Sequence, residues 1–103
     1  MKTIKPIEFK ASRAWEALDI ANMGGTTCRL HWTDKPYHWH INDGEEVFAV
    51  MTGMVDMHIR RDGKEEVIRL EQGDIFFAGI GDEHFAEPIG EARILVIEKE
   101  GSV

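Results

Sequence analysis

The segment Pro36-Tyr-His-Trp-His-Ile-Asn-Asp-Gly-Glu-Glu-Val-Phe48 places His38 and His40 two residues apart, then a turn, then the adjacent glutamates Glu45 and Glu46. In an extended strand, residues two apart point the same way. His38 and His40 therefore share a face, and Trp39 takes the other. Two neutral imidazoles on one wall are half of a site for a first-row transition metal. A glutamate on the strand after the Asn42–Gly44 turn can approach them. A third imidazole, His84, follows a glycine-rich turn in Gly79-Ile-Gly-Asp-Glu-His-Phe85. Each group alone has a plainer reading: a solvated strand face, a charged strand start, a surface turn residue. Their conjunction, in this order, points to a metal. Alternation does not choose between the glutamates. Glu46 shares its face with Phe48 and Val50, Glu45 with Val47, Ala49 and Met51, and either set can face a core.

The elements that must hold these groups read as short strands. "TTCRLHW" alternates Cys28, Leu30 and Trp32 against Thr27, Arg29 and His31. "EEVFAVM", "MVDMHIR", "EEVIRL", "DIFFA" and "ARILVIE" are short runs rich in β-branched and aromatic residues. Turn signals separate them. Arg61-Asp-Gly-Lys64 is a strong hairpin signal, because a type I′ turn needs positive φ at both centres. The best helical candidate is "SRAWEALDI", with Ser12 as a cap. A twisted strand continuing an N-terminal arm is the alternative for the same residues. Eight or nine short strands at regular spacing predict an antiparallel sandwich or barrel. "VFAVM" and "ARILVI" are apolar on both faces and need cover on both sides, so a homodimer is expected.

A chain of 103 residues is expected to form one domain, with residues 1–12 as an N-terminal arm. The formal charge is −7, from 19 acidic and 12 basic residues. Nucleic acid and anionic membrane both reward a basic face, so neither is an expected partner. Cys28 is the only cysteine, which excludes an internal disulfide. No apolar run near Met1 is long enough for a signal peptide or membrane helix, and a cytoplasmic location is expected.

The segment from Thr26 to Glu98 resembles the cupin superfamily. The first motif of that family is similar to "HWHINDGEEVFAVMTG", with His38, His40, Glu46 and Gly53. The second is similar to "GDIFFAGIGDEH", with Gly73, Gly81 and His84 in register. There are departures. Gly79 stands in place of the usual proline, Pro88 where asparagine is common, and Trp32 where a glycine opens the first motif. The gap from His40 to Glu46 is slightly long. Counting back from Gly53 favours Glu46 over Glu45, with the extra residue taken up in the Asn42–Gly44 turn.

The resemblance implies an all-β fold, an antiparallel jelly-roll β-barrel. It implies that His38, His40, Glu46 and His84 bind one divalent transition metal ion: iron, manganese, nickel, zinc, cobalt or copper. It implies a small polar molecule as ligand or substrate. The family includes dioxygenases and isomerases as well as binding proteins, so catalysis stays open. A non-catalytic ligand-binding or sensory cupin is the alternative. Among the remaining candidates, His31 is either a pocket wall or structural, and His58 is expected at the surface. Met51, Met54 and Met57 are expected in packing.

Overall fold

A computed structural model describes residues 1–102. A short 3-10 turn, Pro6–Glu8, precedes nine strands: β1 Glu16–Met23, β2 Thr26–Thr33, β3 His40–Ile41, β4 Glu46–Thr52, β5 Val55–Arg61, β6 Lys64–Leu70, β7 Ile75–Ala78, β8 Glu83–Pro88 and β9 Ala92–Lys99. They form two antiparallel sheets, ordered β1-β2-β9-β4-β7 and β3-β8-β5-β6. This is the expected jelly roll. The two apolar runs, β4 and β9, pair with each other inside the five-stranded sheet, where neither is an edge.

The side-chain period of two sorts each strand. On β4, Glu46, Phe48 and Val50 are buried, and on β5, Val55, Met57 and Ile59. On β9, Ile94 and Val96 turn inward from the same face as Glu98. The core joins these residues to Leu70, Ala86 and Ala92. Removing such aliphatic side chains from water supplies roughly 1.5–3 kcal/mol each. The N-terminal arm lies across the outside of the five-stranded sheet. There Arg93 Nε donates to the Phe9 carbonyl at 2.6 Å, and Lys10 lies over the Trp32 ring.

Several expectations meet the structure here. The Asp62-Gly63 hairpin has positive φ at both residues, 52° and 75°, and pairs Arg61 with Lys64. "SRAWEALDI" forms no helix. Trp15 sits at φ 64°, its N–H donates to the Trp32 carbonyl, and β1 begins at the next residue. Pairing with β2 outweighs the weak helical propensity of the segment. The strand expected to carry both His38 and His40 is shorter than its pattern. Tyr37 N–H donates to the Ala86 carbonyl, but regular pairing begins only at His40. Pro36, with no N–H, starts the irregular stretch.

The β4–β5 turn depends on Gly53, at φ 86°. A Cβ there would press on the Glu91 carbonyl oxygen and lie 3.0 Å from Ala92 Cα. Gly90, at φ 75°, has open space around the equivalent position. Gly90→Ala should therefore cost about 1–2 kcal/mol, the price of the left-handed backbone alone. Gly53→Ala should cost at least about 2 kcal/mol more, because backbone must also move. Urea denaturation of both variants checks this, and equal losses would contradict it.

Candidate metal centre and its cavity

Three ligand-type side chains converge at one end of the barrel. His40, Glu46 and His84 offer donor atoms that all lie within 4.8 Å of one another. Strand register explains the meeting. His40 and His84 are cross-strand partners on β3 and β8, with ring centroids 4.4 Å apart. Glu46 approaches from the facing sheet, as the first inward residue of β4. It is 8% exposed, whereas Glu45 points to solvent.

Hydrogen bonds orient the donors. His40 Nδ1 lies 3.1 Å from the His38 carbonyl oxygen. A carbonyl only accepts, so Nδ1 carries the proton and the neutral ring keeps its lone pair on Nε2. His84 Nε2 donates to Asn42 Oδ1 at 2.8 Å, and Asn42 Nδ2 reaches Glu46 Oε1 at 3.4 Å. His84 Nδ1 is buried with no partner, the sole such side-chain nitrogen or oxygen among the described residues. His84 Nε2 lies 3.4 Å from Glu46 Oε1, and a buried histidine that keeps one nitrogen without a protein partner suits a cation site better than a closed hydrogen-bond network does. Two imidazoles and a carboxylate suit a divalent transition metal.

His38 is not in this cluster. It is exposed and stacks on Tyr37 at 4.1 Å, with its ring centroid 5.9 Å from that of His40. Trp39 points away from both, packing edge-on against Phe85 with the Arg60 guanidinium over its ring. His58 is half-buried rather than fully at the surface. It stacks on Phe85 and bonds Glu87 at 2.9 Å. Met57 is core, while Met51 is exposed.

The cluster forms one wall of a cavity of about 270 Å³ between the sheets. Apolar and aromatic walls come from Trp15, Tyr37, Phe48 and Val96, and polar ones from Arg29, His31 and Glu98. Two polar residues of the site, one behind the ligands and one in the cavity wall, were not apparent in the sequence. Asn42 was legible only as a turn residue, yet it is buried and joins His84 to Glu46. Glu98 continues the inward alternation of Ile94 and Val96, a signal that apolar patterning conceals.

No family model and no curated protein matches this sequence. Solved structures do. A cupin-2 domain-containing protein from Shewanella frigidimarina is 28% identical, over 87% of this chain and 85% of that one, with a TM-score of 0.77. The chain belongs to the cupin superfamily. A cupin superfamily protein from Desulfitobacterium hafniense shares the fold at 13% identity, over 96% of this cupin and 92% of that chain, with a TM-score of 0.74. So does a hydroquinone 1,2-dioxygenase from Sphingomonas sp. TTNP3, solved with 4-hydroxybenzoate bound. It is 13% identical, over 87% of this chain and 68% of that one, with a TM-score of 0.75. At such identities the likeness is one of fold.

The shifted pKa values of His40 and Glu98 bear on the electrostatics of this cupin's site. Burial lowers that of His40, against the opposing pull of the His38 carbonyl. Burial, followed by the charge of Glu46, raises that of Glu98 from 4.5 to about 7. Glu46 and Glu98 are cross-strand partners on β4 and β9, so both carboxylates compete for one low-dielectric space. The folded state thus holds a proton on Glu98 that the unfolded state has lost above pH 4.5. Its contribution to stability is complete below that value and is lost as pH rises through about 7. Glu98→Gln imitates the protonated form at every pH. Measured on chelator-treated protein, its melting temperature should match the wild type near about pH 5 and exceed it near about pH 8. A difference independent of pH would contradict the assignment.

Proposed function

We propose that this cupin binds one divalent transition metal ion through His38, His40, Glu46 and His84, and binds or transforms a small polar molecule in the adjoining cavity. The observation carrying this reading is the convergence of His40, Glu46 and His84, with one buried nitrogen of His84 left without a protein partner. The exposed His38 is the adaptable fourth ligand, on a segment outside regular pairing and adjacent to His40.

Bound there, the metal would supply Lewis acidity or, if redox-active, electron transfer to the cavity. The protein's own groups supply the rest. The His38 carbonyl and Asn42 hold His40 and His84 in one orientation. Phe48 and Val96 exclude water below, and Trp15 and Tyr37 offer flat apolar walls. In the metal-free protein Glu98, raised to about 7 by burial and Glu46, can gain or lose a proton near neutral pH within the same space. Known cupin-fold neighbours include hydroquinone 1,2-dioxygenase and oxalate oxidase. A metal-dependent oxygenase or isomerase is consistent with this site, and a non-catalytic ligand-binding cupin is the second reading. Metal-loaded protein that binds small molecules without turnover would favour the second.

Homodimer formation belongs to the same proposal. The outer side of the five-stranded sheet bears Ile75 and Phe77, both largely exposed, beside the outward residues Val47 and Ala49. Such a face gains stability when covered. Among the described residues, no helix is long and apolar enough to cross a membrane. A cytoplasmic location rests on the composition alone.

Cobalt(II) titration of chelator-treated protein tests the centre. His40→Ala and Glu46→Gln should each weaken binding by at least about 100-fold, beyond what loss of an orienting group usually costs, and Glu45→Gln by less than about twofold. Affinity should fall as the pH drops through the mid-acid range, where protons compete with the metal for His40, whose pKa burial lowers. Equal effects of Glu45→Gln and Glu46→Gln would reject the ligand set. Sedimentation at micromolar concentration should give a dimer that Phe77→Glu dissociates. A wild-type monomer would remove the association from this reading.

A further inference from the structure

His31 lies on β2, in the sheet facing His40 and His84, and lines the same cavity. Its Nδ1 is 2.9 Å from the Trp15 carbonyl oxygen. That oxygen can only accept, so Nδ1 carries the proton and the neutral ring has its lone pair on Nε2. Nε2 has no hydrogen-bond partner among the described residues. It is not enclosed either, since the one enclosed and unpartnered side-chain nitrogen or oxygen is His84 Nδ1. His31 therefore presents a free acceptor of fixed orientation to the cavity, separate from the three convergent ligands.

The surroundings keep that acceptor available. Burial lowers the pKa of His31. The Trp15 carbonyl opposes the shift, nearby Arg29 adds to it, and Glu46 and Asp19 act against it. Tyr37, His40, His84 and Glu98 are the other titratable groups lining the cavity. At neutral pH the ring is uncharged. The Trp15 ring stands edge-on to it, with centroids 6.0 Å apart, and Tyr37 and Phe48 extend the flat apolar surface. A hydrogen-bond acceptor set in an aromatic wall discriminates strongly, because a ligand that cannot donate leaves it unpaired.

We propose that His31 Nε2 selects the ligand of this cupin. It accepts a hydrogen bond from an O–H or N–H group of the small molecule in the cavity, favouring donor-bearing ligands over those that present only acceptors. The assignment rests on the cavity being a small-molecule site and does not require the metal. A purely structural histidine, there only to hold the Trp15 carbonyl, would lack this effect.

Phenol and anisole are a matched pair for the test, alike in ring and differing in the donor. Titration uses the chelator-treated full chain, so that no phenolate–metal contact contributes. The wild type should bind phenol about five- to tenfold more tightly than anisole, the worth of one neutral hydrogen bond. His31→Asn keeps an N–H for the Trp15 carbonyl and removes Nε2. It should bring the two affinities within about twofold of each other. An undiminished preference in His31→Asn overturns the role of His31 alone. Failure of the wild type to bind phenol overturns both that role and the reading of the cavity. Nitrogen NMR of the wild type needs no variant. The Nε2 resonance of His31 should shift on saturation with phenol and not with anisole, and a resonance that stays fixed with phenol overturns the proposal.

Discussion

Asn42 ties the two sheets together where the chemistry sits. Its side chain accepts from His84 on one sheet and donates toward Glu46 on the other. Its backbone N–H donates to the Asp82 carbonyl, and its own carbonyl accepts from Gly81. A buried amide can be stable only when its polar atoms find partners. That requirement fixes three things at once: the path of the turn after β3, the height of the glycine-rich turn before His84, and the rotamer of Glu46. The two-residue strand β3 could not hold His40 by its ladder alone. Its position is set from one side by Asn42 and from the other by Trp39, which is clamped between Phe85 and Arg60.

The fold was readable because its signals are local. The Asp62-Gly63 turn requires positive φ, and the alternation of Val55, Met57 and Ile59 requires a strand with one buried face. The double-faced apolar runs located the interior strands β4 and β9. The site was readable in part. His40, Glu46 and His84 carried spacing that matched a known motif, and Glu45 could be set aside only by counting to Gly53. His38 shows the limit of the method. Period two assumes a regular strand, and the chain before His40 is irregular. Asn42 and Glu98 were hidden for another reason. Their significance comes from partners 42 and 52 positions away, and single-strand patterning does not contain such pairings.

The cavity gathers several titratable and charged groups in a small space. Two carboxylates, Glu46 and Glu98, face a space that also holds His31, His40, His84 and Arg29. Low dielectric makes His31, His40 and Glu98 sensitive to the charges around them. The aromatic walls contribute in the opposite sense. They hold water back without adding charge, which strengthens every remaining polar contact.

The order of the strands in space differs from their order in the chain. β9, the last of the nine, lies in the middle of the five-stranded sheet, between β2 and β4. During synthesis, the strands bearing His31 and Glu46 must therefore wait, without their common neighbour, until residues 92–99 have been made. Early fragments contain every histidine yet cannot assemble the pocket around them. Folding of this kind, governed by distant pairings, is slow and cooperative. A chain shortened before Ala92 would lose the keystone of the sheet rather than its border.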